Sequence, residues 1–176
     1  MTNERGFTLA ELLVAMAVVG LVMSGLFVAL QQGQSAYLFG SARAEVQQNG
    51  RLALSRIAEE LRTAISVTAL GATTITFNFL DDTGTTVTVQ YSLVGTDIRR
   101  NQTAPAAAVA QPETIVGGVT SLSFSAFDQN DVATAVAANA YSILTRITTQ
   151  PERPLAGYSP AHQQVVFQGR VKLRNK

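Results

Sequence analysis

Residues Phe7–Leu30 read FTLAELLVAMAVVGLVMSGLFVAL, a run of 24 residues with a single charge, Glu11. From Leu12 to Leu30 lie 19 uncharged, mostly apolar residues, close to the ~20 that a helix needs to cross a bilayer core. Three readings compete for this stretch. A core helix of a soluble protein would keep its apolar residues on one stripe, and here they go all round. A secretory signal peptide has an apolar region of about 7–15 residues that follows a basic stretch and ends at an A-x-A-like site. This run is longer, holds a carboxylate near its start, and offers only Gly33-Gln34-Ser35 as a small-x-small site. The third reading is a retained transmembrane anchor. Arg5 precedes it and Arg43 is the next basic residue, so positive-inside bias would leave the short N-terminus in the cytoplasm and send the bulk of the chain across.

Glu11 is the anomaly. A charged residue at the centre of a membrane helix costs about 2.5–3.5 kcal/mol on insertion scales. Near the end of the span, snorkelling lowers that cost, and Glu11 is then an interfacial carboxylate. Alternatively, its partner is a cation brought by something else. A free amino terminus, exposed by a cut just before Phe7 on a neighbouring chain of a staggered assembly, would be such a cation.

The composition narrows the function. The chain has 176 residues, of which 47% are hydrophobic and only 14% charged, against roughly 25% charged in a typical soluble domain. Thirteen Lys+Arg against twelve Asp+Glu leave a net charge of +1, which excludes a global nucleic-acid-binding charge but not a local patch. Without cysteine there are no disulfides, no Cys-ligated zinc, no iron–sulfur cluster and no thiol nucleophile. The one histidine, His162, rules out a multi-histidine metal site.

Beyond the apolar run the helix is expected to continue. No proline interrupts residues 31–65, and Ala42, Val46, Leu54, Ile57, Ala58, Leu61 and Ile65 recur at three- and four-residue steps, an amphipathic stripe. Arg43, Glu45, Arg51, Arg56, Glu59, Glu60 and Arg62 fill the remaining surface. Glu59 and Glu60 point apart on a helix and read as a solvated face rather than an acid/base pair. A helix over 7–64 would measure ~87 Å at 1.5 Å per residue, with Gly20, Gly25, Gly33 and Gly50 as points where it can bend.

After Ile65 the character turns to β. Thr73–Phe79 and Thr85–Leu93 alternate with period two around the turn Asp81-Asp82-Thr83-Gly84, a hairpin signal. Ile98–Arg100 follows Gly95-Thr96-Asp97, and residues 101–114 read as a low-complexity loop with two prolines. Val119–Phe127, Tyr141–Thr149 and Val165–Leu173 are further strands. A turn at Asp128–Asp131 leads into an alanine-rich loop, and a proline-rich loop at 151–164 carries His162. The expected fold is α+β: a long N-terminal α-helix packed on a C-terminal antiparallel β-sheet head.

The residues at the junction carry a resemblance. Glu4-Arg5-Gly6-Phe7-Thr8-Leu9-Ala10-Glu11-Leu12-Leu13-Val14 resembles the N-terminus of type IV prepilins and type II secretion pseudopilins. In that family a membrane aspartyl peptidase cuts a short basic leader after its final glycine, and the new N-terminal residue is methylated. The resemblance implies cleavage after Gly6, methylation of Phe7 and a mature chain of 170 residues. Glu11 then falls in the fifth place, that of the family's assembly glutamate. Ala10 stands where isoleucine or valine is commoner, and the proline that kinks many major pilins is missing from the first hundred residues. Gln47–Ala58 (QQNGRLALSRIA), Glu60-Leu61-Arg62 and Ile115–Phe127 are similar to the minor pilin W and pseudopilin J group, a pilin-like fold. The organisation implied is a leader over 1–6, a transmembrane and assembly helix over 7–30, an amphipathic helix over 31–65 and a β-sheet head over 66–176.

Catalytic signals are poor. His162 has no acid or cysteine at useful spacing, and no serine sits in a G-x-S-x-G elbow. Asp128-Gln129-Asn130-Asp131 lacks the glycine and terminal glutamate of a calcium loop, and Asp81-Asp82 reads as a plain turn. No glycine-rich phosphate loop appears. Arg170, Lys172, Arg174 and Lys176 place four cations on one face of the last strand. The favoured reading is an edge strand protected by charge. The other is a contact to an acidic partner, a phospholipid surface or DNA.

The sequence thus leads to a structural subunit rather than an enzyme, with no catalytic residue, cofactor or metal assigned. It is expected in the bacterial inner membrane with its head in the periplasm, and then in a pilus or pseudopilus. Its expected partners are other pilin or pseudopilin subunits, met through the N-terminal helix, and the prepilin peptidase/methyltransferase. Nucleic acid is a partner only if the fibre takes up DNA. The alternatives are an anchored domain that binds DNA, a surface or a protein without joining a fibre, and an anchored enzyme.

Overall fold

The computed structural model describes residues 7–106, 111–154 and 159–173. The chain divides into two compact units, Met1–Ser41 and Ala42–Lys176. One helix, α1 (Leu9–Thr63, 55 residues), carries the chain from the first into the second.

In the first unit every residue of α1 except Phe39 is exposed. Its hydroxyls turn inward: Ser24 donates to the Leu21 carbonyl at 2.8 Å and Ser35 to the Gln31 carbonyl at 3.0 Å. The side chain thereby satisfies itself on the helix, which an apolar surrounding requires. Gly20, Gly25 and Gly33 leave the helix unbroken, with open space where a Cβ would lie.

In the second unit the buried positions of α1 are Val46, Gly50, Ala53, Ile57 and Leu61, the three- and four-residue steps of one apolar face. The helix ends at Thr63, whose hydroxyl donates to the Glu60 carbonyl at 2.9 Å and so satisfies one of the terminal carbonyls. Strand β1 (Ala64–Leu70) follows with no intervening loop, one or two residues before the expected end of the helix. Pairing decides this boundary: Ala64 is held opposite Phe79.

Among the described residues nine strands form two antiparallel sheets, where the sequence pointed to one. The first is a meander, β1, β2 (Thr74–Leu80), β3 (Thr86–Val94), β4 (Asp97–Ala104) and β5 (Glu113–Val116), in that order. The second runs β7 (Ala133–Thr134), β6 (Val119–Phe127), β8 (Ser142–Thr149), β9 (Val165–Lys172). Gly117-Gly118 separates them. Gly118 has φ +68°, and a Cβ there would lie 2.5 Å from the Gln150 carbonyl, so only glycine fits the break.

Three of the longer strands differ from expectation. β1 occupies residues that the sequence left without a strand, β4 runs to Ala104 and β5 begins inside the expected loop 101–114, because pairing with neighbouring strands overrides weak intrinsic propensity. The alanine-rich loop holds β7 and a 3-10 turn, Ala137–Asn139, and the proline-rich loop holds a one-turn helix α2, Pro160–Gln163.

Alternating residues of both sheets fill one core beneath α1: Ile75, Phe77, Val89, Tyr91 and Ile98 from the first, Leu122, Ile143 and Ile147 from the second. Phe77 and Tyr91 stack with centroids 6.2 Å apart. Gly50 is no hinge. A Cβ there would fall 2.2 Å from the ring of Phe167 on β9, so its missing side chain lets that ring reach the helix. Polar contacts complete the seat. Thr149 donates to the Val46 carbonyl at 3.1 Å, and Arg100 donates from Nε to both oxygens of Glu60 at 2.9 and 3.1 Å.

Candidate assembly site

Among the described residues the N-terminal segment carries most of the exposed large hydrophobic side chains. Phe7 is 90% exposed, and every described residue from there to Leu30 is exposed. Among the described residues α1 is the one helix long and apolar enough to cross a membrane, and its most apolar window is unburied. Glu11 is a carboxylate set in that surface.

Its local geometry is a capping box. Thr8 precedes the first helical residue. Its backbone N–H and hydroxyl donate to Glu11 Oε2 at 2.8 and 3.0 Å, and its Oγ1 accepts the Glu11 N–H at 3.3 Å. The pair satisfies donors that the helix start leaves orphaned. This role of Glu11 was missed in the sequence, although T-x-x-E ahead of an apolar run is its signal. Oε1 makes no hydrogen bond among the described residues, so the carboxylate keeps acceptor capacity for a second partner. Gly6 lies outside the described residues.

The basic C-terminal residues fare differently. Arg170 and Lys172 lie on β9, an edge strand, and Arg174 and Lys176 lie outside the described residues. The Arg170 guanidinium stands 4.2 Å from the Phe127 ring centre, donates to Ser142 Oγ at 2.8 and 2.9 Å, and is paired with Asp131. Lys172 Nζ is 4.6 Å from the Tyr141 ring centre. The Arg170 pairing holds the Asp131 carboxyl below its usual range. Asp131 takes φ 65° at the turn that brings it there.

The remaining candidates stay apart. Asp81 accepts from Thr83 N–H, Thr83 Oγ1 and Thr85 N–H at 2.6–2.9 Å, which lowers its pKa, the Thr83 hydroxyl contributing most. Asp128 accepts from Asn130 N–H and Val132 N–H, both at 2.9 Å. Both carboxylates are spent on closing their own turns. His162 is exposed on α2. Among the described residues no three of His, Cys, Asp and Glu gather as a metal site would require.

Known proteins give the same picture at two scales. Residues 1–27 match the family of the prokaryotic N-terminal methylation motif. The chain is similar in structure to a type IV-like pilin from Thermus thermophilus, with a TM-score of 0.53 and 12% identity over 73% of this chain and 96% of that one. The fold is type IV pilin-like. No curated protein sequence matches it. The motif covers both Glu11 and the capping Thr8.

Proposed function

We propose that the chain is a minor pilin or pseudopilin. It enters the inner membrane with its head in the periplasm, is cut after Gly6 by a prepilin peptidase and is methylated on Phe7. It then joins a type IV pilus or type II secretion pseudopilus and helps to prime its assembly. The observation that carries the reading is Glu11: a carboxylate in an all-round apolar surface, four residues after Phe7, within a methylation motif. Similarity of Gln47–Ala58 and Ile115–Phe127 to the minor pilin W and pseudopilin J group supports the finer assignment.

The chemistry follows from the solvent. Lipid is as apolar as the helix, so apolar side chains alone give little drive for helices to associate. A carboxylate paired with the amino terminus of a neighbouring subunit supplies both the drive and the register. Oε1 of Glu11 is the atom left to accept it while Oε2 caps its own helix.

Three measurements test the proposal. The mass of the mature protein should correspond to residues 7–176 plus one methyl group. Gly6→Leu should leave the full-length precursor in the membrane, and normal processing of that variant refutes the cleavage site. Glu11→Ala should insert normally yet be depleted from the fibre fraction, and normal incorporation refutes the assembly role.

A further inference from the structure

A sheet edge with unpaired backbone groups is a template for another strand, and the two sheets have four edges. β7 is only two residues long. β1 is covered by the 3-10 turn Ala137–Asn139. Among the described residues β5 and β9 each lie against one strand alone, β4 and β8.

The β9 edge is eight residues long. Leu173 N–H donates to the Tyr141 carbonyl at 3.0 Å. In the register that pairs Ser142 with Lys172, this directs the odd-numbered residues of β9 to β8. The N–H and C=O groups of Val166, Gln168, Arg170 and Lys172 therefore point away from the sheet. Charges at a strand edge ordinarily repel such pairing. Here the two cations lean inward over the sheet, Arg170 onto Phe127, Ser142 and Asp131, and Lys172 onto Tyr141. Beside the edge runs a groove of about 570 Å³, bordered by Arg62, Thr63, Arg170, Val171, Lys172 and Leu173, three of them cationic.

β5 has the opposite charge. Glu113 opens it and is exposed, and the Glu152 carboxylate stands at its far end, 2.6 Å from where a Gly117 Cβ would be. β9 has no carboxylate of its own, so a two-fold pairing of β9 with its copy offers Arg62 and Lys172 no counter-charge. From this juxtaposition of two uncovered edges with opposite charge we infer that the β9 edge of one copy receives the β5 edge of a second copy. The antiparallel register that sets Glu113 opposite Lys172 brings the two charges together. Such a contact joins unlike surfaces, so it repeats from copy to copy in an open series instead of closing as a dimer. The inference rests on the assembly reading and adds a head-to-head contact to the one made by the N-terminal helix.

The absence of native cysteine makes the test direct. The full-length chain is produced in its host as Glu113→Cys, as Lys172→Cys, and with both changes, and cells are treated with a short bis-maleimide. The double variant should give a ladder of cross-linked multimers, and the two single variants should give a dimer only when produced together. Ile115→Cys with Gln168→Cys repeats the test with Glu113 and Lys172 both in place, because in this register residue 115 faces residue 170 and Gln168 is its diagonal neighbour. Charge reversal gives a second readout: Glu113→Lys and Lys172→Glu should each weaken cross-linking between Ile115→Cys and Gln168→Cys severalfold, and their combination should restore it. No ladder from either cysteine pair overturns the inference. Self-cross-linking of Lys172→Cys, or its capture of a protein of another size, also overturns it. The sheared fibre fraction of the same cells separates the two readings, because a chain present there without a ladder is a fibre subunit lacking this contact.

Discussion

Gly50 and Phe167 show how one missing side chain sets a contact. A Cβ at residue 50 meets the ring at 2.2 Å, so Gly50→Ala should destabilise the head by about 1–3 kcal/mol, the usual range for overpacking. Phe167→Leu in the same chain should recover part of that loss. Urea unfolding of the two variants checks both expectations. The Glu60–Arg100 pair is the other single-residue lever. Both side chains are nearly buried, at 12% and 10% exposure, so Glu60→Ala strands a buried guanidinium and should cost about 3–5 kcal/mol. Beside the pair, burial first and the Glu60 carboxylate second push the Tyr91 phenol well above its ordinary range. The unfolded chain releases that proton near pH ~10, while the folded chain still holds it. The associated stability is therefore complete below pH ~10 and falls as pH rises beyond it. Tyr91→Phe should flatten the decline of melting temperature above pH ~10. Glu60 and Glu59 look alike in sequence. Only Glu60 meets an arginine of the sheet, and nothing in the local pattern distinguishes them.

At the scale of elements, the helix and most strands were legible and their ends were not. Apolar steps along 42–65 reflect burial on one side, and α1 follows them. Period-two alternation marked β2, β3, β6, β8 and β9 for the same reason. β5 escaped notice because Glu113–Val116 gains its strand character from β4 alongside, not from its own four residues. β9 is held at its charged end by the ion pair of Arg170 with Asp131. Since that pairing lowers the folded pKa of Asp131, its contribution is present above the unfolded value of ~3.9 and is lost as pH falls through the folded one. Asp131→Asn should make stability less sensitive to acid below pH ~4, as measured by melting temperature against pH. The capping box is a sequence-local device, so Thr8→Val should fray the start of α1. Faster amide exchange over the first helical turn would report it.

For the whole molecule, the two units make different demands on their surroundings. The core residues from Ala53 to Leu173 all belong to the second unit, so a chain beginning at Ala42 should express as a soluble, cooperatively unfolding domain. The full chain should require detergent. Gel filtration and circular dichroism of the two forms check this, and aggregation of the shorter one would refute it. The apolar run, the capped helix start, the amphipathic stripe and the period of the strands were set by the sequence alone. Each depends on neighbours a few positions away and on whether the surrounding medium is lipid or water. The division into two sheets, the choice of β8 as partner for β6, the Gly50–Phe167 contact and the buried bond from Thr149 to Val46, 103 positions apart, were decided only by the tertiary structure. Those contacts join residues distant along the chain, and a strand's pattern shows that it has a buried face without showing which strand will lie beside it.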